Sequence, residues 1–485
     1  MTSAIASLAD GDTITIAGSF SGANYDISGK TNITVNSTSS SNTITLSNNA
    51  GADAYVLNAS GIGARVSGFT IDGNKGNQST ASGACVYTGY SGKIDHMTLQ
   101  NCYKWGVIVA LDSSGWEISD NTITGIGGTT LNLNIEGRGV SVNQGTNGSI
   151  LRNAISSTRG DGVYLINAAT GNTIRNNTLT SIGMTGIYVG AATGTGNTIS
   201  GNTITDWASE GASDGIGLNA TATITGNTIT QNTDTAYAAW GIEITGGAAA
   251  CDGTTISSNT IGGATLDRAL AGGGSNVTIT RNSLQANTHV IYQENCSGSN
   301  ITYNVIKANG AAGDYGIYLD SNAAGARAIN LYNNTVVNMN ATGTGVRFEE
   351  TNGTWGSCNL KNNIVNGFSK GVIIEDKDND GAGVTHTNNL YYGNTADLQK
   401  DVAGVLTGIT LDGTELSSNP IFVSSSNYHL QATSPARDAG ANVGLTLDYD
   451  GHSVPVGSGV DIGAYEYVPG GDTTPPSAPM GLRVQ

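Results

Sequence analysis

Proline is scarce in this chain, with 7 residues in 485 against 70 glycines, and charged residues make up only 12%. Few segments carry a helical period, which argues against a helical bundle or an α/β fold and leaves an almost all-β protein. Bases are few as well: 20 Lys and Arg face 37 acids, a formal net charge of −17. Phosphate binding needs a basic face, so the balance argues against nucleic acid as partner. It also disfavours capture of polyanionic sugars by charge alone, although a local basic patch would override it. No apolar run is long enough to span a membrane. No signal peptide is visible, and the abrupt start "MTSAIASLADGDTITI" reads as a chain whose leader has been cut away. The five cysteines, Cys85, Cys102, Cys251, Cys296 and Cys358, fit no zinc spacing. Cys85 and Cys102 are close enough in sequence to pair on neighbouring turns, but the reading adopted is of buried, free thiols.

What the chain does have is repetition. Gly, Asn, Ser and Thr dominate, which alone would suit disorder, but Ile and Val recur regularly between them. The phrase Asn-Thr-Ile returns in "DNTITG", "GNTIRNNTLT", "GNTISGNTIT", "GNTITQN" and "SNTIGG". Its marker asparagines are Asn153, Asn177, Asn202, Asn227, Asn259, Asn282, Asn304, Asn334 and Asn363, spaced 22 to 32 residues apart. A second marker keeps the same period: Gly followed by alternating apolar residues, as in "GVYLI", "GIYVG", "GIEIT", "GIYLD" and "GVRFE". Short alternating strands between Gly/Asn corners, at a fixed period with no room for a helix, predict a solenoid of strands. Asn then stacks on Asn at a corner, Ile points inward and Thr faces out. A flat Thr-rich ice-binding face is disfavoured, because the strands vary too much in length and in outward residues.

The pattern resembles the right-handed parallel β-helix repeats of the pectate-lyase-like superfamily, over roughly residues 10–400. "GFTIDGN" at 68–74 is similar to its early coils. The resemblance implies a single-stranded right-handed parallel β-helix of roughly a dozen coils, in a superfamily of lyases, glycoside hydrolases, epimerases, esterases and phage adhesins. The expected domains are a β-helix over 1–400, a C-terminal capping segment over 401–468 and a Pro-rich linker over 469–485. "NPIFVSSSNYHLQATSPARDAG" and "DYDGHSVPVGSGVDIGAYEY" resemble a C-terminal segment of secreted bacterial β-helix proteins, read here as a cap on the open end of the solenoid. "PPSAPMGLRV" resembles the first strand of a fibronectin type III domain, so a monomer within a longer, multidomain, secreted or cell-surface bacterial protein is expected.

Aligning the Gly-led strands gives outward columns. One holds Ser141, Tyr164, Tyr188, Gly217, Glu243, Tyr292, Tyr318, Arg347 and Ile373. The next holds Glu294, Asp320, Glu349 and Glu375, and the position before the glycine holds Trp240, His289 and Tyr315. The coil near Arg268 is irregular and resists placement. Flat aromatic rings suit sugar faces, and carboxylates bond hydroxyls. Coils stack about 4.8 Å apart, so Glu294, Asp320, Glu349 and Glu375 should form a ladder in which some carboxyls are held protonated. A protonated acid beside an ionised carboxylate is what glycoside hydrolysis needs. The candidate catalytic residues are therefore Asp320 and Glu349, then Glu294 and Glu243. The candidate substrate-binding residues are Tyr164, Tyr188, Trp240, His289, Tyr292, Tyr315, Tyr318 and Arg347. The bland alternative is a solvated acidic face, with His289 an ordinary surface residue.

"EDKDNDG" at 375–381 presents Asp376, Asp378 and Asp380 before Gly381, like the opening of a calcium loop. Thr387 stands where the closing Glu of an EF-hand belongs, so a full EF-hand is excluded. "DYDGH" at 448–452 is a weaker echo. Polygalacturonase motifs and a clear lyase signature are absent. The leading expectation is a hydrolase cutting a neutral or weakly charged polysaccharide, with no required cofactor and Ca²⁺ as an option. The alternatives are a Ca²⁺-dependent polysaccharide lyase or epimerase acting on uronates, marked by a base-lined pocket, and a non-enzymatic carbohydrate-binding adhesin.

Overall fold

The computed structural model describes residues 1–79, 81–128, 136–190, 195–233, 236–245, 251–309, 313–338, 340–377 and 383–470. The chain is an all-β parallel solenoid of about 14 turns. Helix among the described residues is confined to Thr2–Ala6 and a single 3₁₀ turn at Lys75–Asn77. Two compact units can be described: Met1–Thr223 with Thr233–Ala239, and Ile224–Asn232 with Trp240–Gln485.

Each coil contributes three short strands, and each strand pairs in parallel with its counterpart one coil on. In the first unit Glu117–Ser119 pairs with Ser149–Leu151, Thr122–Thr124 with Ala154–Thr158, and Trp105–Val109 with Arg138–Asn143. In the second, Thr278–Thr280 pairs with Ser299–Thr302, Ser283–Ala286 with Val305–Ala308, and His289–Glu294 with Tyr315–Asp320. The recurrent Ile explains the register. Ile94, Ile118, Ile150, Ile174 and Ile199 stand in register one above another, all 0% exposed. Each such burial contributes roughly 1.5–3 kcal/mol.

The recurrent Asn forms a buried amide ladder. In the first unit Nδ2 of Asn121 donates to Oδ1 of Asn153 at 2.9 Å, Asn153 to Asn177 at 3.0 Å, and Asn177 to Asn202 at 2.9 Å. In the second unit the ladder runs through Asn227, Asn259, Asn282, Asn304, Asn334, Asn363 and Asn389. The residue before each ladder Asn is left-handed, whether Gly226 (φ +65°) or Tyr303 (φ +53°), which is why Gly, Asn and Asp are common there. The second ladder ends on Glu415, whose Oε1 accepts from Asn389 and from the Tyr391 hydroxyl, each at 3.0 Å. Its Oε2 meets Nδ1 of His386 at 3.0 Å. Burial alone would raise the Glu415 carboxyl, but the bonds from His386 and Asn389 hold it below its ordinary value.

One expectation is corrected. Cys85 and Cys102 are joined in a disulfide with Cα atoms 5.6 Å apart, while Cys251, Cys296 and Cys358 are the buried free thiols. The C-terminal segment packs on the coils. Tyr428, Ala464 and Tyr465 pack on Val305 and Val337, and Leu430, Ala436 and Ile462 pack on Ile364 and Leu390. The Ala464 amide donates to Oγ1 of Thr335, and Nδ2 of Asn333 donates to the Asp461 carbonyl. Its buried acids serve its own backbone: Glu466 accepts from the amides of Val456 and Asp461, and Asp461 from those of Asp438 and Tyr467. Most of the linker, residues 471–485, lies outside the described residues.

Candidate active site

The third strand of each coil carries the chemistry of the second unit. His289–Glu294, Tyr315–Asp320 and Thr344–Glu349 pair in register, so Glu294, Asp320 and Glu349 stand on successive rungs, as do Tyr292, Tyr318 and Arg347. Strand alternation sends Ile291, Ile317 and Val346 inward and these polar residues outward. Glu375 lies one residue past the paired Phe348 and Ile374, and pairs on its other side with Asp401.

The carboxylates have different surroundings. Glu294 accepts the hydroxyl proton of Tyr292. Glu349 is met by Nε of Arg347, whose Nη2 also reaches Asp401 at 3.2 Å and Glu375 at 3.9 Å. Asp320, 6% exposed, keeps a buried Oδ1 without a hydrogen-bond partner. Burial pushes the Asp320 carboxyl above its ordinary value, a hydrogen bond with Thr351 opposes this, and the charges of Glu294 and Glu349 add to it. The ladder therefore holds an acid that favours its proton between one carboxylate bound by a phenol and one bound by a guanidinium.

Beside it lies an aromatic floor. The Tyr292 and Tyr318 rings stack with centroids 5.4 Å apart and planes 10° from parallel. His289 stacks on Tyr315 at 5.0 Å, and Tyr315 meets Tyr318 edge-on at 4.8 Å. His289 is no ordinary surface residue. Its Nδ1 is buried without a partner, and burial, helped by the Arg268 charge, lowers it to about 4. It is therefore neutral near pH 7.

A cavity of about 530 Å³ opens where the sequence was irregular. It is lined by Glu243, Thr245, Arg268, Tyr292, Glu294 and Arg327, over a floor of Ala271, Gly272 and Gly273. Ala271, paired with Glu243, leaves the outward column without a long side chain at this coil, and the glycines beside it let the backbones approach closely. Gly272 has φ +106°, and a Cβ there would lie 2.1 Å from the Ile244 carbonyl oxygen. Trp240 pairs with Arg268 and Arg268 with His289, which brings Trp240 to the same edge. Glu243 thus joins Glu294 through the cavity and not through the ladder.

Tyr164 and Tyr188 form their own stack in the first unit, with centroids 5.1 Å apart. The Arg138 guanidinium covers Tyr164 at 3.2 Å and pairs with the buried Asp161 at 2.9 Å. Asp376, expected as a calcium ligand, is fully buried and paired with the Lys400 ammonium, so its charge is already met. Asp378 and Asp380 lie outside the described residues. The ligand atoms of Asp448, Asp450 and His452 come within 4.8 Å of one another, but Asp450 is engaged by His429 at 2.7 Å and Asp448 by the amides of His452 and Glu466.

Sequence reading missed Arg268, Arg327 and Asp401. Arg327 sits in a two-residue strand pairing with Thr354–Trp355, outside the repeating columns, and Asp401 follows the point where the repeat phrase is lost.

The sequence profile of the right-handed β-helix region matches residues 31–204 and 214–396. The chain belongs to the right-handed β-helix family. This β-helix protein is similar in structure to a mutant tailspike protein of E. coli bacteriophage HK620 in complex with a pentasaccharide. The two are 13% identical with a TM-score of 0.52, over 81% of this chain and 72% of that one. It is also similar to the A-module of an Azotobacter vinelandii mannuronan C-5 epimerase, at 13% identity and TM-score 0.41, over 80% and 92% of the two chains. Against the Dettilon tailspike protein the figures are 12% and 0.38, over 79% of this chain and 59% of that one, so this chain spans less than two thirds of that chain. At these identities the likeness is one of fold. No curated protein matches. No helix among the described residues is long and apolar enough to cross a membrane.

Proposed function

We propose that this β-helix protein is a secreted carbohydrate-active enzyme, a glycoside hydrolase whose site is the carboxylate ladder of the second unit. The observation that carries the reading is Asp320: a buried carboxyl with a free oxygen, pushed toward its protonated form, one rung from Glu294 and beside two stacked tyrosines. A sugar lying on the Tyr292 and Tyr318 rings would present its glycosidic oxygen to Asp320, the general acid. Glu294, held by the Tyr292 hydroxyl and lining the cavity, is the carboxylate on the other side of the bond. Adjacent rungs about 4.8 Å apart place Glu294 beside Asp320 as the partner carboxylate, the nucleophile of a retaining reaction or the base of an inverting one. Glu349, paired with Arg347, stays out of the chemistry and sets the field at Asp320.

The disulfide supports an oxidising, extracytoplasmic location. A monomeric catalytic module within a larger secreted bacterial protein remains the proposed context, with polysaccharide as partner and no metal required by this mechanism. The second reading, elimination on a uronate by a lyase, is favoured by the two arginines lining the cavity.

One experiment separates the readings: digestion of a panel of neutral and uronate polysaccharides with and without Ca²⁺, followed by reducing ends and by ultraviolet absorbance of unsaturated products. New reducing ends without absorbance are expected. Absorbance would make the protein a lyase, and silence in both channels would make it a binding protein.

A further inference from the structure

In the C-terminal segment, residues 448–452 form a closed turn. The Asp448 amide donates to the His452 carbonyl at 3.0 Å and the Gly451 amide to the Asp448 carbonyl at 3.2 Å, with Gly451 at φ +86°. Alternate side chains converge: a carboxylate oxygen of Asp448, one of Asp450 and a ring nitrogen of His452 all lie within 4.8 Å of one another. The Asp448 side chain is 0% exposed and that of Asp450 7%, while that of His452, 40% exposed, faces the surface. The hydrogen bonds made there do not exhaust the carboxylates. Each Asp448 oxygen accepts one amide, Oδ1 from His452 at 2.7 Å and Oδ2 from Glu466 at 2.9 Å, and a carboxylate oxygen has two lone pairs. Asp450 turns Oδ2 to Nε2 of His429 at 2.7 Å, and its Oδ1 is buried without a hydrogen-bond partner. A second buried group is stranded nearby: the Tyr303 hydroxyl has no partner and feels the charges of Glu466, Asp448 and Asp461. Burial pushes the Asp448 carboxyl above its ordinary value, and the Asp450 charge adds to this against the amides of Glu466 and His452. Two buried carboxylates side by side, one with an idle oxygen, are costly without a cation.

We infer that Asp448, Asp450 and His452 form a binding site for a divalent cation of the Zn²⁺ or Mn²⁺ kind, which clamps the C-terminal segment onto the coils. One imidazole with two carboxylates suits such an ion better than Ca²⁺, which takes oxygen ligands. Three protein ligands leave room for water to complete the shell. The bond from His429 to Asp450 is the kind of outer contact that orients a metal-binding carboxylate. The turn sits where a clamp acts on the whole segment. Asp448 holds the Glu466 amide, the Tyr449 amide donates to the Ala464 carbonyl at 3.0 Å, and Tyr449 packs with Tyr465 against Val305 and Val337. The ion has a structural task and takes no part in chemistry at the carboxylate ladder.

The test is isothermal titration of the full chain, stripped with EDTA, with zinc, manganese and calcium chlorides, together with melting curves of the stripped and loaded protein. A single Zn²⁺ or Mn²⁺ should bind at least about tenfold tighter than Ca²⁺. At about a hundredfold excess over its dissociation constant it should raise the melting temperature by at least about 2 °C. Asp450→Asn and His452→Gln should each weaken binding at least about tenfold. Because His452 faces the surface, the stripped His452→Gln protein should melt with the stripped wild-type protein, which separates a lost ligand from a lost fold. Binding that survives both substitutions overturns the assignment to this turn. A preference for Ca²⁺ overturns the part given to His452. Binding without a rise in melting temperature overturns the clamp, and no binding of any of the three ions overturns the site.

Discussion

Asp320→Asn is expected to lower the rate of glycosidic cleavage by about 10²–10⁴-fold, the contribution of a general acid, without weakening the fold. The sign of the stability effect follows from the raised carboxyl. A carboxylic acid whose value rises on folding contributes stability that is complete below its ordinary value of 3.8 and is lost as pH rises through the raised one. Asn cannot ionise and escapes that loss, so near pH 7 the variant should melt no lower than the wild-type protein. The wild-type rate should fall on the alkaline side as Asp320 loses its proton, and Asp320→Asn should abolish that limb. Initial rates across pH, with melting curves of both proteins, check the prediction. A variant that loses activity only because it unfolds would make Asp320 a structural residue.

The largest stability effect is expected at the amide ladder. Asn282 is 0% exposed. Its Nδ2 donates to Asn304 Oδ1 at 2.9 Å, to the Ile256 carbonyl at 3.0 Å and to the Thr280 carbonyl at 3.1 Å. Its Oδ1 accepts both the backbone N–H of Asn259 at 2.9 Å and that residue's Nδ2 at 3.0 Å. Ala at this position strands donors on one side and acceptors on the other, in a place water does not reach. At about 1–3 kcal/mol for each buried group left unpaired, Asn282→Ala should cost about 3–5 kcal/mol, near the upper end for a single substitution. Thr260→Ala, one residue past the neighbouring ladder position Asn259 and exposed, should change stability by no more than about 0.5 kcal/mol. Denaturant unfolding of the two variants makes the comparison, and similar losses from both would deny the ladder its role.

These predictions draw on features that differ in how openly the sequence displays them. The ladder and the core were legible because each coil repeats the same demand: a left-handed corner, a buried amide, an inward Ile. Once the Gly-led strands are aligned, the carboxylate column follows, because parallel register carries Glu294 onto Asp320 and Asp320 onto Glu349. The cavity was hidden for the same reason that it exists. Ala271 removes the bulk that would have marked a column, so the coil that makes room for a ligand is also the coil without a readable pattern. Arg327 stands on an added strand pair, where the period says nothing. The disulfide could not be told from two buried thiols by a separation of 17 residues alone. In the "DIGAYE" segment Asp461 and Glu466 are buried acceptors for backbone amides, and the fold of an irregular segment depends on contacts that no repeat announces.

The most direct test of the proposed site is a crystal structure of the Asp320→Asn protein soaked with an oligosaccharide of the polymer that the wild-type enzyme cleaves. A sugar ring should lie on Tyr292 and Tyr318, with the glycosidic oxygen within hydrogen-bond reach of residue 320 and the anomeric carbon facing Glu294. A saccharide bound instead on the Tyr164 and Tyr188 stack of the first unit, with the ladder empty, would contradict the assignment of the catalytic centre.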